Sequence, residues 1–398
     1  MKIGFFTDEH PILGSHGGVW SYVHELASGM TEIGHSSLII VAFPRAAHSP
    51  LEGAVPTYPL ETPSKFQLLP YPLGRGPSII LARELVRLAV RLKLDVLEIP
   101  EGTGIAAFVA RMKPANLALV VRIHGADDML RPPEREMLGR TRFRNLLLNA
   151  LVRRSILAAD TLSVPSMQAW ENVQERLKVK SQNIYVVPCP VADSFFRSTP
   201  QETSAPMLLC VGRLGWIKGD DVLMHAMPRV FEHFPNAVLR FAGEYHDTQS
   251  VALRAQLPDL MAQRIEFLGQ VPREQIRELL QKSQVCVFPS RWESFGIACA
   301  ESMVAGRAVV VSDAPGFRVL VRDGVTGLMV ARGDVGALAN AICRMLRDGE
   351  LRARLALAGQ KHVRSLCNRI AVSTQAADLY KESRARMQQP HMRGVNAD

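Results

Sequence analysis

The chain has 398 residues, of which 47% are hydrophobic and 21% charged, a composition typical of folded proteins. At roughly 100–200 residues per domain, this length predicts two to three domains. Lysine and arginine number 47 against 38 acidic residues, a formal net charge of +9, which favours phosphates, polyanions or anionic membrane surfaces as partners. No run reaches the roughly 18 apolar residues of a transmembrane helix. The start of the sequence lacks the apolar segment of a signal peptide. The six cysteines are scattered without a C-x-x-C pair. We therefore expect a cytoplasmic protein whose cysteines form neither disulfides nor a zinc site.

Strand and helix patterns alternate through the first half of the chain. The predicted strands are the short apolar runs Ile3–Phe6, Ser37–Val41, Val96–Ile99, Ala118–Arg122, Thr161–Val164 and Ile184–Val187. The predicted helices between them are Val19–Met30, Ile79–Leu92, Ile105–Met112 and Asn145–Ala159. This alternation predicts a parallel sheet covered by helices on both faces.

The same alternation starts again after a linker rich in Pro, Ser and Thr at Pro188–Pro206. The predicted strands of the second half are Met207–Val211, Ala237–Ala242, Ile265–Leu268, Val285–Phe288, Ala308–Val311 and Gly327–Val330. The predicted helices are Asp220–Phe234, Arg273–Lys282, Ala298–Ala305 and Val335–Arg347, followed by a helical stretch from Glu350 to about Met387. We therefore predict two doubly wound α/β domains, at 1–188 and 189–370, then a C-terminal helix at 371–387 and a disordered tail at 388–398. Because ligands of open parallel sheets bind outside the carboxyl ends of the strands, the cleft between the two domains is the expected site.

A glycine-bearing turn with two cations follows the first strand of the second half. The segment Val211–Gly219 reads VGRLGWIKG and contains Arg213 and Lys218. Two cations at the end of a strand could neutralise a diphosphate leaving group, the arginine through its bidentate fork. The spacing is not that of a P-loop. The alternative is a pair of solvated surface cations, and the position after a strand favours the binding function.

Two glutamates separated by seven residues follow a later strand of the same half. Glu293 lies in the loop after Val285–Phe288, and Glu301 lies on the following helix. The backbone of Phe295–Ile297 could present N–H groups to phosphate oxygens, while Glu301 could bind a ribose and Glu293 the hydroxyls of a sugar. The alternative is a capping acid and a surface glutamate. However, the apolar neighbours of Glu301 predict a largely buried helix, on which a glutamate needs a partner.

Two motifs of the first half also follow strands. Gly17-Gly18 opens a helix, where glycine lets the backbone approach a phosphate, and a loop before a helix is the alternative. His124, in Arg122-Ile123-His124-Gly125, would face the cleft, although a hydrogen-bonded structural histidine is the alternative. Asp127-Asp128 follows and suggests a metal, but the partners of a metal-bound nucleotide are not evident. We expect solvent-exposed or helix-capping acids and no metal.

Together these motifs resemble family 4 of the retaining glycosyltransferases, which have the GT-B fold, two Rossmann-like domains facing an interdomain cleft. The resemblance covers about residues 1–387 and is strongest at Val211–Gly219 and Pro289–Gly306, with further similarity at Asp323–Val330 and in the acceptor-side loop Glu98–Gly102. It implies transfer of a hexosyl group from a nucleotide sugar to an acceptor hydroxyl with retention, without metal or other cofactor. UDP is implied more strongly than GDP, and the C-terminal helix would cross back onto the first domain.

The resemblance also implies a role for each motif residue. As catalytic residues, Glu293 would contact the transferred sugar, and His124 would contact the donor sugar or help position the acceptor. Glu101 and Ser166 would lie in the cleft. The residues implied to bind the donor are Gly17, Gly18, Arg213, Lys218, Phe295, Gly296, Ile297 and Glu301. The acceptor would be a sugar, a lipid-linked sugar or a small molecule, as in the synthesis of cell-surface polysaccharides, glycolipids or glycoconjugates.

Two other functions stay open at this point. A sugar-nucleotide epimerase of the same fold would bind a similar donor but release an altered sugar nucleotide. The charge instead suggests a polyanion-binding protein, because Arg131–Arg154 contains seven arginines against two glutamates. No nucleic-acid motif accompanies this basic cluster, so we expect no nucleic acid as partner. A solvated helical face, or contact with an anionic membrane leaflet, accounts for these arginines.

Overall fold

The computed structural model describes residues 1–10, 17–44, 55–62, 79–125, 140–181, 183–198, 201, 205–244, 252 and 254–388. The chain divides into two compact units, which we call unit 1 (Met1–Pro190 with Arg369–Asp398) and unit 2 (Val191–Asn368). The chain therefore leaves unit 1, builds unit 2, and returns. The predicted disordered tail lies almost wholly outside the described residues.

The elements follow one another in the alternating order that the sequence predicts. The strands are β1 Lys2–Thr7, β2 Ser36–Pro44, β3 Thr57–Thr62, β4 Val96–Pro100, β5 Ala118–Arg122, β6 Thr161–Val164, β7 Ile184–Val186, β8 Met207–Val211, β9 Val238–Ala242, β10 Ile265–Phe267, β11 Val285–Phe288, β12 Ala308–Ser312 and β13 Leu328–Val330. The α-helices are α1 Gly18–Glu32, α2 Ile79–Arg91, α3 Ala106–Met112, α4 Arg140–Ala158, α5 Met167–Leu177, α6 Asp193–Phe196, α7 Asp220–His233, α8 Asp259–Ala262, α9 Arg273–Lys282, α10 Ile297–Val304, α11 Phe317–Leu320, α12 Val335–Arg347, α13 Gly349–Leu366 and α14 Arg369–Gln388. Short 3-10 turns at Glu101–Thr103 and Trp216–Lys218 follow β4 and β8.

Each unit is built on its own parallel sheet. Unit 1 has seven strands in the order β3-β2-β1-β4-β5-β6-β7, and unit 2 has six in the order β10-β9-β8-β11-β12-β13. All residues of β11 and β12 are buried, as expected for strands covered by helices on both faces. Two separate apolar cores fill the space between sheets and helices. The prediction of two doubly wound α/β halves is confirmed.

The strand order of each sheet reverses once, and this position locates the candidate site. In unit 1 the reversal lies between β1 and β4, and in unit 2 between β8 and β11. Loops that leave neighbouring strands in opposite directions open a crevice at the carboxyl ends there, which is where ligands of doubly wound sheets bind.

Two features of the fold differ from the sequence prediction. Strand β3 was not predicted, because its pattern contains Pro59. Proline has no backbone N–H to donate to a neighbouring strand. An edge position tolerates proline, and β3 is the edge strand of its sheet. The predicted helical stretch from Glu350 is also two helices, α13 and α14. They are separated at Cys367, whose carbonyl accepts a hydrogen bond from the Val191 N–H at 3.1 Å.

None of the described helices is long and apolar enough to cross a membrane.

Candidate functional site

The reversal point of the unit 2 sheet brings together Lys218 and Glu293. Lys218 ends the 3-10 turn after β8, and Glu293 lies in the loop after β11, the neighbouring strand. Lys218 Nζ lies 2.6 Å from Glu293 Oε1, and the Ser290 hydroxyl also donates to that oxygen at 3.2 Å. Both side chains are largely buried, with 32% and 13% of their surface exposed. The structure therefore joins two of the predicted site residues, 75 positions apart, in one ion pair.

Arg291 fastens the loop after β8 to the loop after β11. Its guanidinium donates to both carboxylate oxygens of Asp221 at 2.6 and 2.8 Å and to the Trp216 carbonyl at 2.7 Å. It also lies 4.7 Å from the centroid of the Trp216 ring. A bidentate fork with a stacked ring holds both loops in one geometry. Sequence reasoning missed Arg291 and Asp221, because nothing in their spacing indicates that they meet.

Helix α10 begins at this site with a glycine in a left-handed conformation. Gly296, its N-cap residue, has φ +90° and ψ 57°. A Cβ atom there would lie 2.5 Å from Cε1 of Phe317, so the position requires glycine. The first turn of α10 has no acidic side chain, and the N–H groups of an α-helix N-terminus attract anions. Phe295 is buried, whereas Ile297 begins the helix and is partly exposed.

Glu301 occupies the fifth position of α10 and has the partner that its burial requires. It is 8% exposed, and its Oε1 lies 2.8 Å from the Arg273 guanidinium at the start of α9. The expectation of a buried helix with a paired glutamate is thus met. Arg213, by contrast, is exposed in the loop after β8, where a cation could reach a ligand. The roles of both residues toward a donor stay predictions.

In unit 1, Glu101 holds the loop that carries His124. Glu101 follows β4 and His124 follows β5, the next strand in the sheet. The Glu101 carboxylate accepts hydrogen bonds from the N–H groups of His124 and Gly125 at 2.9 and 2.6 Å. Glu101 is 1% exposed, and burial raises the pKa of its carboxyl group. The structure therefore gives Glu101 a positioning role, while its predicted exposure to a cleft stays a prediction.

His124 presents a neutral imidazole. Among the described residues, no hydrogen-bond partner reaches its buried Nε2, and its ring stands edge-on to Tyr22 with the centroids 5.1 Å apart. Burial lowers the pKa of His124 well below 6.5, and the charge of Arg122 lowers it further. A neutral ring nitrogen without a protein partner can donate or accept one hydrogen bond to a ligand.

We expect the protein to lose stability as the pH falls below about 6.5, and His124→Asn to weaken that loss. The unfolded chain takes up a proton at this histidine near pH 6.5, whereas the folded state resists it, so acid favours unfolding. The difference grows by at most about 1.4 kcal/mol for each pH unit. Melting temperatures from pH 8 to pH 5 measure it, with exposed His233→Asn as control. Equal acid-side slopes for wild type and His124→Asn would contradict the burial of a neutral imidazole.

A buried polar network below His124 was not predicted. Glu98 on β4 accepts hydrogen bonds from the hydroxyls of Tyr22 at 3.0 Å and Tyr380 at 2.7 Å, and burial raises the pKa of its carboxyl group. Arg122 is fully buried, lies 4.1 Å above the Tyr22 ring, and donates to the Ser163 hydroxyl and the Val187 carbonyl. The network joins α14 to the two central strands β4 and β5.

The N-terminus of α1, predicted to bind a phosphate, already contacts a carboxylate. Helix α1 begins at Gly18 after Gly17, and the N–H of Trp20 donates to Glu9 Oε2 at 3.0 Å. A Cβ on Gly17 would lie 2.6 Å from Glu9 Oε1. A phosphate at this N–H would have to displace Glu9, since two anions cannot share it. Sequence reasoning missed Glu9, for which the acidic residues directly after β1 were the available signal.

The remaining predicted positions are Ser166, the Asp127-Asp128 pair and the Arg131–Arg154 cluster. Ser166 is 2% exposed and caps α5, since its hydroxyl accepts from the Ala169 N–H at 3.1 Å. Asp127 and Asp128 lie outside the described residues. Residues 131–139 of the Arg131–Arg154 cluster also lie outside the described residues, whereas Arg153 and Arg154 on α4 are exposed. Within the described ranges no group of three His, Cys, Asp or Glu side chains could hold a metal ion, and metal independence stays a prediction.

Two family models and several curated proteins match this chain. Residues 191–362 match the family model "Glycosyl transferases group 1", and residues 16–195 match "Glycosyltransferase Family 4". Phosphatidyl-myo-inositol mannosyltransferase from Mycobacterium leprae is 29% identical over 369 residues, covering 87% of this chain and 88% of that protein. Glycogen synthase from Mycobacterium tuberculosis is 29% identical over 198 residues, or 50% of this chain and 48% of that protein.

Solved structures share the fold over nearly the whole chain. Sucrose-phosphate synthase from Thermosynechococcus elongatus superposes with a TM-score of 0.80 at 21% identity, covering 97% of this chain and 99% of that chain. HepE from Anabaena, solved with UDP and glucose, has a TM-score of 0.71 at 20% identity and covers 96% of this chain and all of the other. The two family models together span residues 16–362. The chain is therefore a family 4 glycosyltransferase with the GT-B fold.

Proposed function

We propose that this glycosyltransferase moves a hexosyl group from a nucleotide sugar to an acceptor hydroxyl with retention of anomeric configuration. The observation that carries the proposal is the Lys218–Glu293 pair at the reversal point of the unit 2 sheet, with the N-terminus of α10 three residues further along. Breaking the anomeric bond develops negative charge on the leaving diphosphate. A fixed cation and the N–H groups at a helix N-terminus suit that charge.

We assign each predicted residue of unit 2 a part in this reaction. Arg213, Lys218 and the backbone at Phe295–Ile297 bind the diphosphate and the adjoining sugar. Glu293 contacts hydroxyls of the transferred sugar, and Glu301 binds the ribose. The 2.6 Å ion pair between Lys218 and Glu293 supports this assignment, because the diphosphate and the sugar of a glycosyl diphosphate are adjacent.

In unit 1, we assign His124 to the sugar or to the acceptor hydroxyl. Because its imidazole is neutral, it acts as a hydrogen-bonding group rather than as a cation. Gly17 and Gly18 approach the diphosphate once Glu9 has moved. For retention, a same-face reaction in which the diphosphate takes the acceptor proton is compatible with these residues. On the family resemblance, we propose that no metal or other cofactor takes part.

The donor and acceptor are proposed at the level of class. UDP-sugars are favoured over GDP-sugars on the frequency of donors in the family. A lipid-linked acceptor is supported by the M. leprae relative, whose name specifies phosphatidyl-myo-inositol. Synthesis of glycolipids, glycoconjugates or surface polysaccharides fits such an acceptor. Contact of the Arg131–Arg154 cluster with an anionic leaflet would then bring the enzyme to its acceptor.

A thermal-shift screen with UDP, GDP, ADP and their sugars tests the donor assignment. A ligand present at 100 times its Kd stabilises the folded state by about 2.7 kcal/mol, so the true donor raises the melting temperature measurably. We expect the largest shift with UDP or a UDP-sugar, and none with uridine, which lacks the diphosphate. No shift with any nucleotide would refute the proposal.

Product analysis without acceptor separates the transferase from an epimerase of the same fold. We expect slow hydrolysis or no reaction when the nucleotide sugar is incubated alone. Release of an altered sugar nucleotide would instead assign the chain to the epimerases.

A further inference from the structure

Arg273 forms an ion pair with Glu301, and the sequence motifs did not include it. Its guanidinium lies 2.8 Å from Glu301 Oε1 and 5.4 Å from the centroid of the buried Phe195 ring. The carboxylate is held in place and its side chain is only 11% exposed, whereas that of Arg273 is 34% exposed. One side chain thus contacts both the glutamate and the apolar surface beside it.

We propose that Arg273 is a positioning residue for nucleotide binding, which orients Glu301 to accept hydrogen bonds from the ribose hydroxyls. This inference rests on the proposed function, because it deepens the role assigned to Glu301. An ionised carboxylate offers about four lone-pair directions on two oxygens, so an arginine on Oε1 does not exhaust its capacity to accept. The planar guanidinium has donors in fixed directions, and its contact of 2.8 Å sets the position of Oε1.

Burial explains why the arginine is needed. A carboxylate removed from water is unfavourable unless a counter-charge and hydrogen bonds compensate it. Glu301 is 8% exposed on a helix whose neighbouring side chains Cys299, Ala300 and Met303 are fully buried. Arg273 supplies positive charge from a different helix, α9, so the orientation of Glu301 does not depend on its own helix alone.

The opposite interpretation, in which Arg273 hinders ribose binding, predicts a different change in nucleotide affinity. If Arg273 competed with the ribose for Glu301, removing its charge would strengthen nucleotide binding. If Arg273 orients Glu301, its removal weakens binding of the ribonucleotide and leaves the 2′-deoxyribonucleotide nearly unaffected, because only the former uses the glutamate fully.

The test measures discrimination between UDP and 2′-deoxy-UDP, with GDP and 2′-deoxy-GDP as a second pair, by calorimetry on the full chain. A hydrogen bond to a charged group corresponds to a preference of about tenfold to a hundredfold for the ribonucleotide in the wild type. We expect Glu301→Gln and Arg273→Gln to reduce this preference to a similar, small ratio. Arg273→Lys, which keeps the charge without the fork, should retain part of it.

Arg277→Gln is the matched control, since it removes the same charge one turn further along α9. We expect it to keep the wild-type preference. A full preference in Arg273→Gln, or tighter UDP binding by that variant, would overturn the inference. If Arg273→Gln fails to fold, an undiminished preference in Arg273→Lys overturns it equally.

The two proposals fail in different ways. Absence of binding by UDP, GDP and ADP to the wild type contradicts the donor assignment itself. Binding without a ribose preference in the wild type leaves the assignment of a nucleotide-sugar donor intact. It refutes the ribose contact of Glu301 and with it the role of Arg273.

Discussion

Replacing Lys218 with alanine is expected to lower the rate of sugar transfer by about 10²–10³-fold, comparable to the loss of one preorganised donor at a developing negative charge. The ammonium is held by Glu293 at 2.6 Å within a loop fastened by Arg291, so it is already in place before charge develops on the diphosphate. Water cannot replace such a fixed cation without reorganising, and the loss therefore falls mainly on kcat.

The control is Lys282→Ala, which removes an exposed lysine from the end of α9 in the same unit. We expect near-normal transfer from this variant. Because Lys218→Ala also leaves the largely buried Glu293 without its cation, the melting temperature of each variant must be compared with that of the wild type. A folded Lys218→Ala enzyme with an undiminished kcat would remove Lys218 from the reaction.

The second large effect concerns Gly219, which connects the Lys218 turn to α7. We expect Gly219→Ala to destabilise unit 2 by about 3 kcal/mol or more. The residue has φ +69° and ψ 24°, a left-handed conformation that is unfavourable for alanine by about 1–2 kcal/mol. The added Cβ would also lie 2.1 Å from the Pro289 carbonyl oxygen. Since that oxygen belongs to the backbone ahead of Glu293, relief of the clash would shift both sides of the Lys218–Glu293 pair.

Chemical denaturation followed by tryptophan fluorescence measures this effect, because Trp216 and Trp292 both lie in unit 2. Gly336→Ala serves as control: Gly336 lies in the first turn of α12, and the nearest atom to its added Cβ is 3.6 Å away. Alanine is favoured over glycine in a helix by roughly 0.5–1 kcal/mol, so this variant should be as stable as the wild type or slightly more so. Equal stability of Gly219→Ala and Gly336→Ala would contradict the crowding at Pro289.

The sequence predicts those features of the fold that depend on local pattern. Strand and helix alternation locates nearly every strand of unit 2 to within a residue or two, and the rule that ligands meet strand ends selects Lys218 and Glu293. It does not predict contacts between distant segments. The fork from Arg291 to Asp221 spans 70 residues, and the hydrogen bond from Tyr380 to Glu98 spans 282.

Glu9 and Arg273 show a second reason for incomplete prediction. Each is an ordinary charged residue near a motif, and only the folded geometry shows that it lies against a residue assigned to the ligand. The motif around His124 likewise does not indicate that its ring nitrogen Nε2 is buried. The string Arg-Ile-His-Gly does not reveal that Glu101 holds the histidine N–H while the ring lies against Tyr22.

The return of the chain to unit 1 affects the order of events during synthesis. Unit 2 is continuous, so all of its residues have been translated when the ribosome reaches Asn368. Unit 1 still lacks α14, whose Tyr380 is fully buried against Glu98 and whose Arg369 pairs with Glu25. Unit 1 is therefore completed after unit 2, and until α14 emerges Glu98 lacks the hydrogen bond from the Tyr380 hydroxyl. Domains usually fold in the order of translation, and this topology reverses that order.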